Sequence, residues 1–129
     1  MSVSILVVDD EPDVALLFRQ QFRREIRDGT YVMHMASSGE MALEQLSGGI
    51  EPTLIVILSD INMPGMDGLQ LLQAVKQRFP AIPVMMVTAY GDDERRQRAS
   101  TLGATEFITK PVDFDALKAA LRQIPSAAD

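Results

Sequence analysis

Residues 57–72 of the chain, ILSDINMPGMDGLQLL, place an acidic side chain at the end of an apolar run. Asp60 stops the run, a short loop with Pro64 and two glycines follows, and a helical pattern resumes after Asp67. A charged carboxylate at the end of a buried strand costs free energy unless it is paired or used. Asp60 is therefore a candidate metal ligand.

Polar and charged side chains also follow three other apolar runs. Asp9 and Asp10 follow the first run, Thr88 ends the fourth, and Lys110 follows the fifth. If these strands lie side by side with the strand of Asp60 in a parallel sheet, their carboxyl ends meet in one pocket. Taken singly, each residue has an ordinary structural explanation, such as a helix cap or a polar strand end. Together they favour a chemical site.

Three neighbouring carboxylates repel one another, and this repulsion alone would raise at least one of their pKa values. A hard divalent cation relieves the repulsion, and oxygen ligands of this kind favour Mg²⁺. With that ion and Lys110, the formal charges of the three aspartates cancel. The predicted site could then admit a phosphoryl group.

The elements that position these residues follow from an alternation along the chain. Short apolar runs, rich in β-branched residues, alternate with segments of helical spacing. This alternation predicts five strands and five helices, with a parallel sheet that is covered on both faces. The predicted strands are 3–8, 31–36, 53–58, 83–88 and 105–109.

The helical segments differ in how many apolar positions they offer to a core. The first predicted helix has apolar residues at every fourth position, from Val14 to Ile26. The fourth, which begins at Asp92, has only Ala99 and Leu102 as clear anchors, whereas the fifth runs from Phe114 through Leu117 and Leu121 to Ile124. Ser37 is the predicted N-cap of the second helix, and Asp67 that of the third.

Length and composition narrow the class of protein. A chain of 129 residues suits one domain, and 47% hydrophobic with 23% charged residues is typical of a globular protein. Without cysteine, disulfides and thiolate metal sites are excluded. No run approaches the ~20 apolar residues of a membrane span, so we expect a cytoplasmic protein without membrane contact. A net charge of −6 argues against direct binding of nucleic acid.

Four motifs, in this order, resemble the signature of response-regulator receiver domains of two-component signalling, including the chemotaxis regulators: VVDDEPD, SDINMPGMDG, VTAYG and ITKP. The resemblance extends over nearly the whole chain and implies one receiver domain over residues 1–129. It also implies a flavodoxin-like fold, in which a doubly wound parallel sheet of strand order 2-1-3-4-5 is flanked by five helices.

The resemblance assigns a chemical role to each residue of the predicted pocket. Asp60 would be the phosphoacceptor, and Lys110 would pair with its oxygens. Mg²⁺ would be bound by the carboxylates of Asp10 and Asp60, by the backbone carbonyl of Asn62, and by Asp9 through a water molecule.

A further set of residues would respond to phosphorylation, again by resemblance. Thr88 would bind the phosphoryl group after transfer, and Phe107 would be the switch aromatic, so that the fourth helix and fifth strand change their surface. Asn62 and Tyr90 would flank the site and tune the rate of dephosphorylation.

The implied partners are those of a signalling switch rather than of an enzyme acting on other substrates. The phosphoryl donor would be a sensor histidine kinase, a phosphotransfer protein or a small acyl phosphate. Output would go to a partner protein or to an effector domain absent from this chain, and a phosphorylation-dependent dimer would fit the family.

Three alternatives compete with the receiver interpretation. An aspartyl phosphatase would need a second acid two residues after Asp60, where Asn62 stands. A flavin-binding module would have to hold a phosphate against Asp9 and Asp10. The runner-up is a receiver-like interaction module that is never phosphorylated.

Overall fold

The computed structural model describes residues 3–51, 54–89 and 92–123. Five strands form one sheet in the order β2-β1-β3-β4-β5, and every neighbouring pair is parallel. The predicted parallel sheet and its strand order are therefore confirmed. The strands are β1 Val3–Val8, β2 Tyr31–Ala36, β3 Ile55–Asp60, β4 Val84–Thr88 and β5 Glu106–Thr109.

The described residues contain six helices, one more than predicted; five lie between strands and the sixth follows β5. They are α1 Pro12–Gln21, α2 Arg23–Arg27, α3 Gly39–Gly48, α4 Gly68–Arg78, α5 Asp93–Thr101 and α6 Phe114–Arg122. The predicted first helix is divided at Phe22, where φ is −102° and ψ is 14°. Four residues of an α-helix turn by roughly 400°. A row of apolar residues at every fourth position therefore rotates around the helix axis by roughly 40° from one residue to the next. The break at Phe22 allows Ile26 to stay against the core despite this drift.

The strand β3 ends two residues later than the apolar run 53–58 predicts. Ser59 pairs with Val8 of β1 and Asp60 pairs with Val87 of β4, so both polar residues belong to the strand. Backbone pairing does not depend on side-chain polarity, which is why the end of the apolar run was a poor guide to the end of the strand.

Two clusters of buried residues cover the two faces of the sheet. The α4-face cluster contains residues of α3, α4 and α5, including Ala42, Leu72 and Ala99. The α6-face cluster contains residues of α1 and α6, including Phe18 and Leu117. Apolar side chains of β1 alternate between them, as expected for a strand buried on both sides.

On the α6 face, Lys118 ties the last described helix to the break between α1 and α2. Its ammonium donates to the carbonyl of Gln21 at 2.7 Å, forms an ion pair with Glu25 at 3.0 Å and lies 5.1 Å from the Phe22 ring centre. No helix of the described chain is both long and apolar enough to cross a membrane. The predicted positions Thr53, Tyr90 and Ile124 lie outside the described residues.

Candidate functional site

Asp60 is the last residue of β3 and is almost fully buried, with 4% of its surface exposed. The Ser59 hydroxyl donates to its backbone carbonyl at 2.9 Å, and the backbone N–H of Asn62 donates to its Oδ1 at 3.3 Å. The rotation of the carboxylate at the carboxyl edge of the sheet is thus restricted, as expected for a group that must be oriented toward a reaction partner.

The loop after Asp60 is closed by the start of α4. The Gly68 N–H donates to the Ile61 carbonyl at 2.8 Å, and a Cβ at Gly68 would lie 2.7 Å from the Ile61 Cα. A glycine is therefore required for this close approach. Asp67 forms the predicted N-cap, and with Gln70 it makes a full capping box. Gly65 has a φ of 72°, a conformation that glycine adopts without strain.

Asp9 and Asp10 follow β1, which lies next to β3 in the sheet. Together with Asp60 they offer carboxylate oxygens that all lie within 4.8 Å of one another. The Asp9 Oδ1 accepts the Glu11 N–H at 2.9 Å. Burial raises the pKa of Asp9, the Glu11 N–H lowers it in part, and the charge of Asp60 raises it further, so that the pKa lies above its usual value. The predicted juxtaposition of the three acids is present.

Lys110 reaches the cluster from the far side of β4. Its Nζ lies 3.0 Å from Asp60 Oδ2, and its backbone N–H donates to the Thr88 carbonyl at 2.8 Å. Burial alone would lower the pKa of Lys110, but the hydrogen bond and charge of Asp60, together with Asp9, raise it above its usual value. The ammonium is therefore held in its charged form against the Asp60 carboxylate.

The remaining predicted residues lie around this cluster. Thr88 is buried at the end of β4, and Asn62 is exposed beside Asp60. Phe107 is half-buried on β5 and packs against the α4-face cluster. Alternate residues of a strand lie on the same face of the sheet, so Thr88 lies on the face of Val84 and Met86, which belong to that cluster. Thr88 and Phe107 are therefore on the same face.

The sequence analysis did not identify a role for two arginines in the first turn of α5, Arg95 and Arg96. The Arg95 guanidinium donates to the Asn62 Oδ1, and the Arg96 guanidinium lies 4.9 Å from the Phe107 ring centre. Sequence spacing carries no signal for such contacts, because they join residues of separate elements through long, flexible side chains.

The donor set at the carboxyl edge fits a hard divalent cation. Among the described residues it consists of the carboxylate oxygens of one buried acid and two more accessible ones, without a histidine or cysteine. Such a set suits Mg²⁺, which prefers oxygen ligands and keeps some of its own water.

The family model of the response regulator receiver domain matches residues 5–122 of the chain. The chain belongs to the response regulator receiver domain family. It is 36% identical over 122 residues to the transcriptional regulatory protein ZraR of Escherichia coli K12, covering 95% of this chain and 26% of ZraR. It is 37% identical over 111 residues to the DNA-binding transcriptional regulator NtrC of the same organism, covering 86% of this chain and 22% of NtrC.

Among solved structures, the receiver resembles the response regulator protein TrrA of Thermotoga maritima in complex with Mg²⁺ and BeF. The TM-score is 0.78 and the identity 30%, covering 94% of this chain and 97% of TrrA. The receiver spans about a quarter of the length of the curated relatives it matches. Receiver domains of response regulators are signalling switches of phosphorelays, and this places the chain in that functional class.

Proposed function

We propose that this receiver accepts a phosphoryl group on Asp60 in a Mg²⁺-dependent reaction. The observation that carries the proposal is the convergence of three carboxylates and Lys110 on one edge of the sheet, with Asp60 the buried member. The donor is the phosphohistidine of a sensor kinase or phosphotransfer protein, or a small acyl phosphate.

Asp60 supplies the nucleophile for the transfer. One of its carboxylate oxygens forms a bond to phosphorus as the bond between phosphorus and the donor breaks, and the bonding electron pair leaves with the donor. No proton has to leave Asp60, because the carboxylate is already the reactive form. The hydrogen bond from Asn62 and the ion pair with Lys110 restrict its orientation before the donor arrives.

Asp9, Asp10, Asp60 and the backbone carbonyl of Asn62 would hold the magnesium ion. When bound, it would offset the carboxylate charges and stabilise the developing charge on the phosphoryl oxygens. Lys110 adds a fixed positive charge on the β5 side of the acceptor.

Formation of the acyl phosphate changes the charge at Asp60 from −1 to about −2 and adds acceptor oxygens. Thr88 is buried one residue beyond the β4 partner of Asp60, so its hydroxyl is well placed to donate to the new oxygens. A rotation of Thr88 leaves space on the face that Phe107 shares. Phe107 can then turn inward, and the surface of α5 and β5 changes for an output partner, an effector domain or a second copy of the chain.

The proposal is tested by intact-mass measurement after incubation with acetyl phosphate and Mg²⁺. We expect one labile phosphoryl adduct on the wild type, none on Asp60→Asn, and none when a chelator removes the metal. Asp13→Asn is the matched control, because it removes an exposed carboxylate three residues after Asp10 that is not part of the cluster, and it should keep the adduct. An unmodified wild type would favour the interaction module that is never phosphorylated.

A further inference from the structure

Helix α5 is held weakly by apolar contacts. Of its nine residues only Ala99 is buried, and the side chain of its N-cap residue Asp92 makes no capping hydrogen bond. Leu102, just after the helix, is only partly buried. Since few buried side chains fix this helix, polar contacts of its first turn carry much of its placement.

One of these contacts joins α5 to the loop of residues 61–67 between Asp60 and α4, called the acceptor loop below. The Arg95 guanidinium donates to the side-chain oxygen of Asn62, whose own backbone N–H donates to Asp60. A guanidinium has only donors, so the Asn62 amide must turn its oxygen toward α5 and its NH₂ group away. Within the three described stretches, no carboxylate lies at ion-pair distance from Arg95. Among the described residues, the hydrogen-bond partner of the Arg95 side chain is therefore Asn62.

The neighbouring residue joins the same turn to Phe107. Arg96 lies over the Phe107 ring, a favourable cation–π arrangement. Positive charges near a helix N-terminus oppose the helix dipole, so helix stability does not explain two arginines there. The contacts of the two arginines offer an explanation. Through them, the first turn of α5 contacts both the acceptor loop and Phe107, the aromatic residue that is proposed to move.

We propose that Arg95 is a positioning residue that holds α5, through Asn62, in the position it has in the unphosphorylated protein, called the resting arrangement below. This inference rests on the proposed function for its link to phosphorylation. When Phe107 turns inward, Arg96 loses its partner and the first turn of α5 shifts, so the Arg95–Asn62 contact belongs to the resting arrangement. A contact made in only one arrangement favours that arrangement by its own free energy.

The first test needs neither metal nor phosphate. Amide hydrogen exchange across residues 93–101 is compared between the wild type, Arg95→Ala and Arg98→Ala. Arg98 is the matched control, because it is an exposed arginine of the same helix that lines a recess with Gln97 and Thr101, apart from the acceptor loop. Alanine favours helix more than arginine does, so faster exchange cannot come from helix propensity.

We expect exchange in α5 to rise by about threefold to tenfold in Arg95→Ala, the usual effect of losing a hydrogen bond of this kind. Arg98→Ala should raise exchange less than Arg95→Ala does, because Arg98 lies in the last turn of α5 and loses only a favourable interaction with the helix dipole. Arg95→Lys should restore part of the protection because it keeps a charged donor. Equal exchange in the Arg95→Ala and Arg98→Ala variants would overturn the inference.

The second test uses beryllofluoride with Mg²⁺ as a mimic of the phosphoryl group, and calorimetry to measure its apparent affinity. If Arg95 stabilises the resting arrangement, Arg95→Ala should bind the mimic about threefold to tenfold more tightly than the wild type. Weaker binding would show that Arg95 is a phosphoryl ligand and would refute its resting role. If the wild type binds no mimic and forms no adduct, the proposed function fails, while hydrogen exchange still decides the role of Arg95.

Discussion

Helices α4 and α5 cover the same face of the sheet, yet the structure attaches them in different ways. Helix α4 buries Leu69, Leu71, Leu72 and Val75 and begins with a full capping box. Helix α5 buries only Ala99 and has no side-chain cap. The difference indicates that one face of a small fold can combine a well-anchored helix with one whose local stability is low.

The two helices also meet the acceptor residue differently. The first residue of α4, Gly68, packs directly on the backbone of Asp60 and Ile61. Helix α5 reaches the same loop through the Arg95 side chain. Helix α4 can therefore keep the acceptor in place while α5 changes position, and this division of roles can be tested by substitution.

The largest expected effect is on the apolar anchors. Leu72 is fully buried, so Leu72→Ala should lower the free energy of unfolding by about 2–5 kcal/mol. Leu102 beside α5 is partly buried, so Leu102→Ala should cost only about 1 kcal/mol. Urea denaturation measures both values, and equal losses would contradict the proposed difference between the helices.

A smaller effect is expected where α4 meets the acceptor. An alanine Cβ at Gly68 would collide with the Asp60 carbonyl oxygen and lie 2.7 Å from the Ile61 Cα, so Gly68→Ala should cost about 1–3 kcal/mol. It should also reduce the yield of the Asp60 adduct. Gly48→Ala, near the end of α3, is the control, because its added Cβ meets nothing within 4 Å and should not destabilise the fold. A normal adduct yield and stability for Gly68→Ala would show that α4 does not constrain Asp60.

The smallest expected effect concerns the N-caps. The Asp67 side chain accepts the Gln70 N–H at 2.9 Å, so Asp67→Ala should cost about 1 kcal/mol. Asp92 accepts no such bond, and Asp92→Ala should leave the unfolding free energy nearly unchanged. Thermal unfolding of the two variants compares them directly, and a similar loss in both would mean that α5 is capped in solution.

The cluster of Asp9, Asp10, Asp60 and Lys110 could be predicted because it needs only the ends of parallel strands. Once apolar runs identify the strands, a parallel sheet brings their carboxyl ends together without knowledge of any side-chain conformation. The same reasoning could not find the Arg95–Asn62 contact, which depends on how a long side chain packs between residues 33 positions apart.

The misplaced boundaries have local physical causes. Ser38 caps α3 in place of the predicted Ser37, and its hydroxyl accepts the Met41 N–H at 3.1 Å. Two adjacent serines offer the same capping chemistry, so their types alone could not distinguish them. At Phe22, the extra helix break reflects the burial of that ring between Phe18, Tyr31 and Phe114, which is a property of tertiary packing.

The α6-face cluster joins side chains from both ends of the described chain, from Val3 on β1 to Leu121 on α6. These segments leave the ribosome at different times during synthesis. In chain order, the last buried residue of the α4-face cluster is Ala99. During synthesis, one side of β1 can therefore acquire its cover before the other. The opposite side is covered only in part, by α1, until residues near 121 have emerged, and the uncovered part stays accessible to chaperones or to other nascent chains.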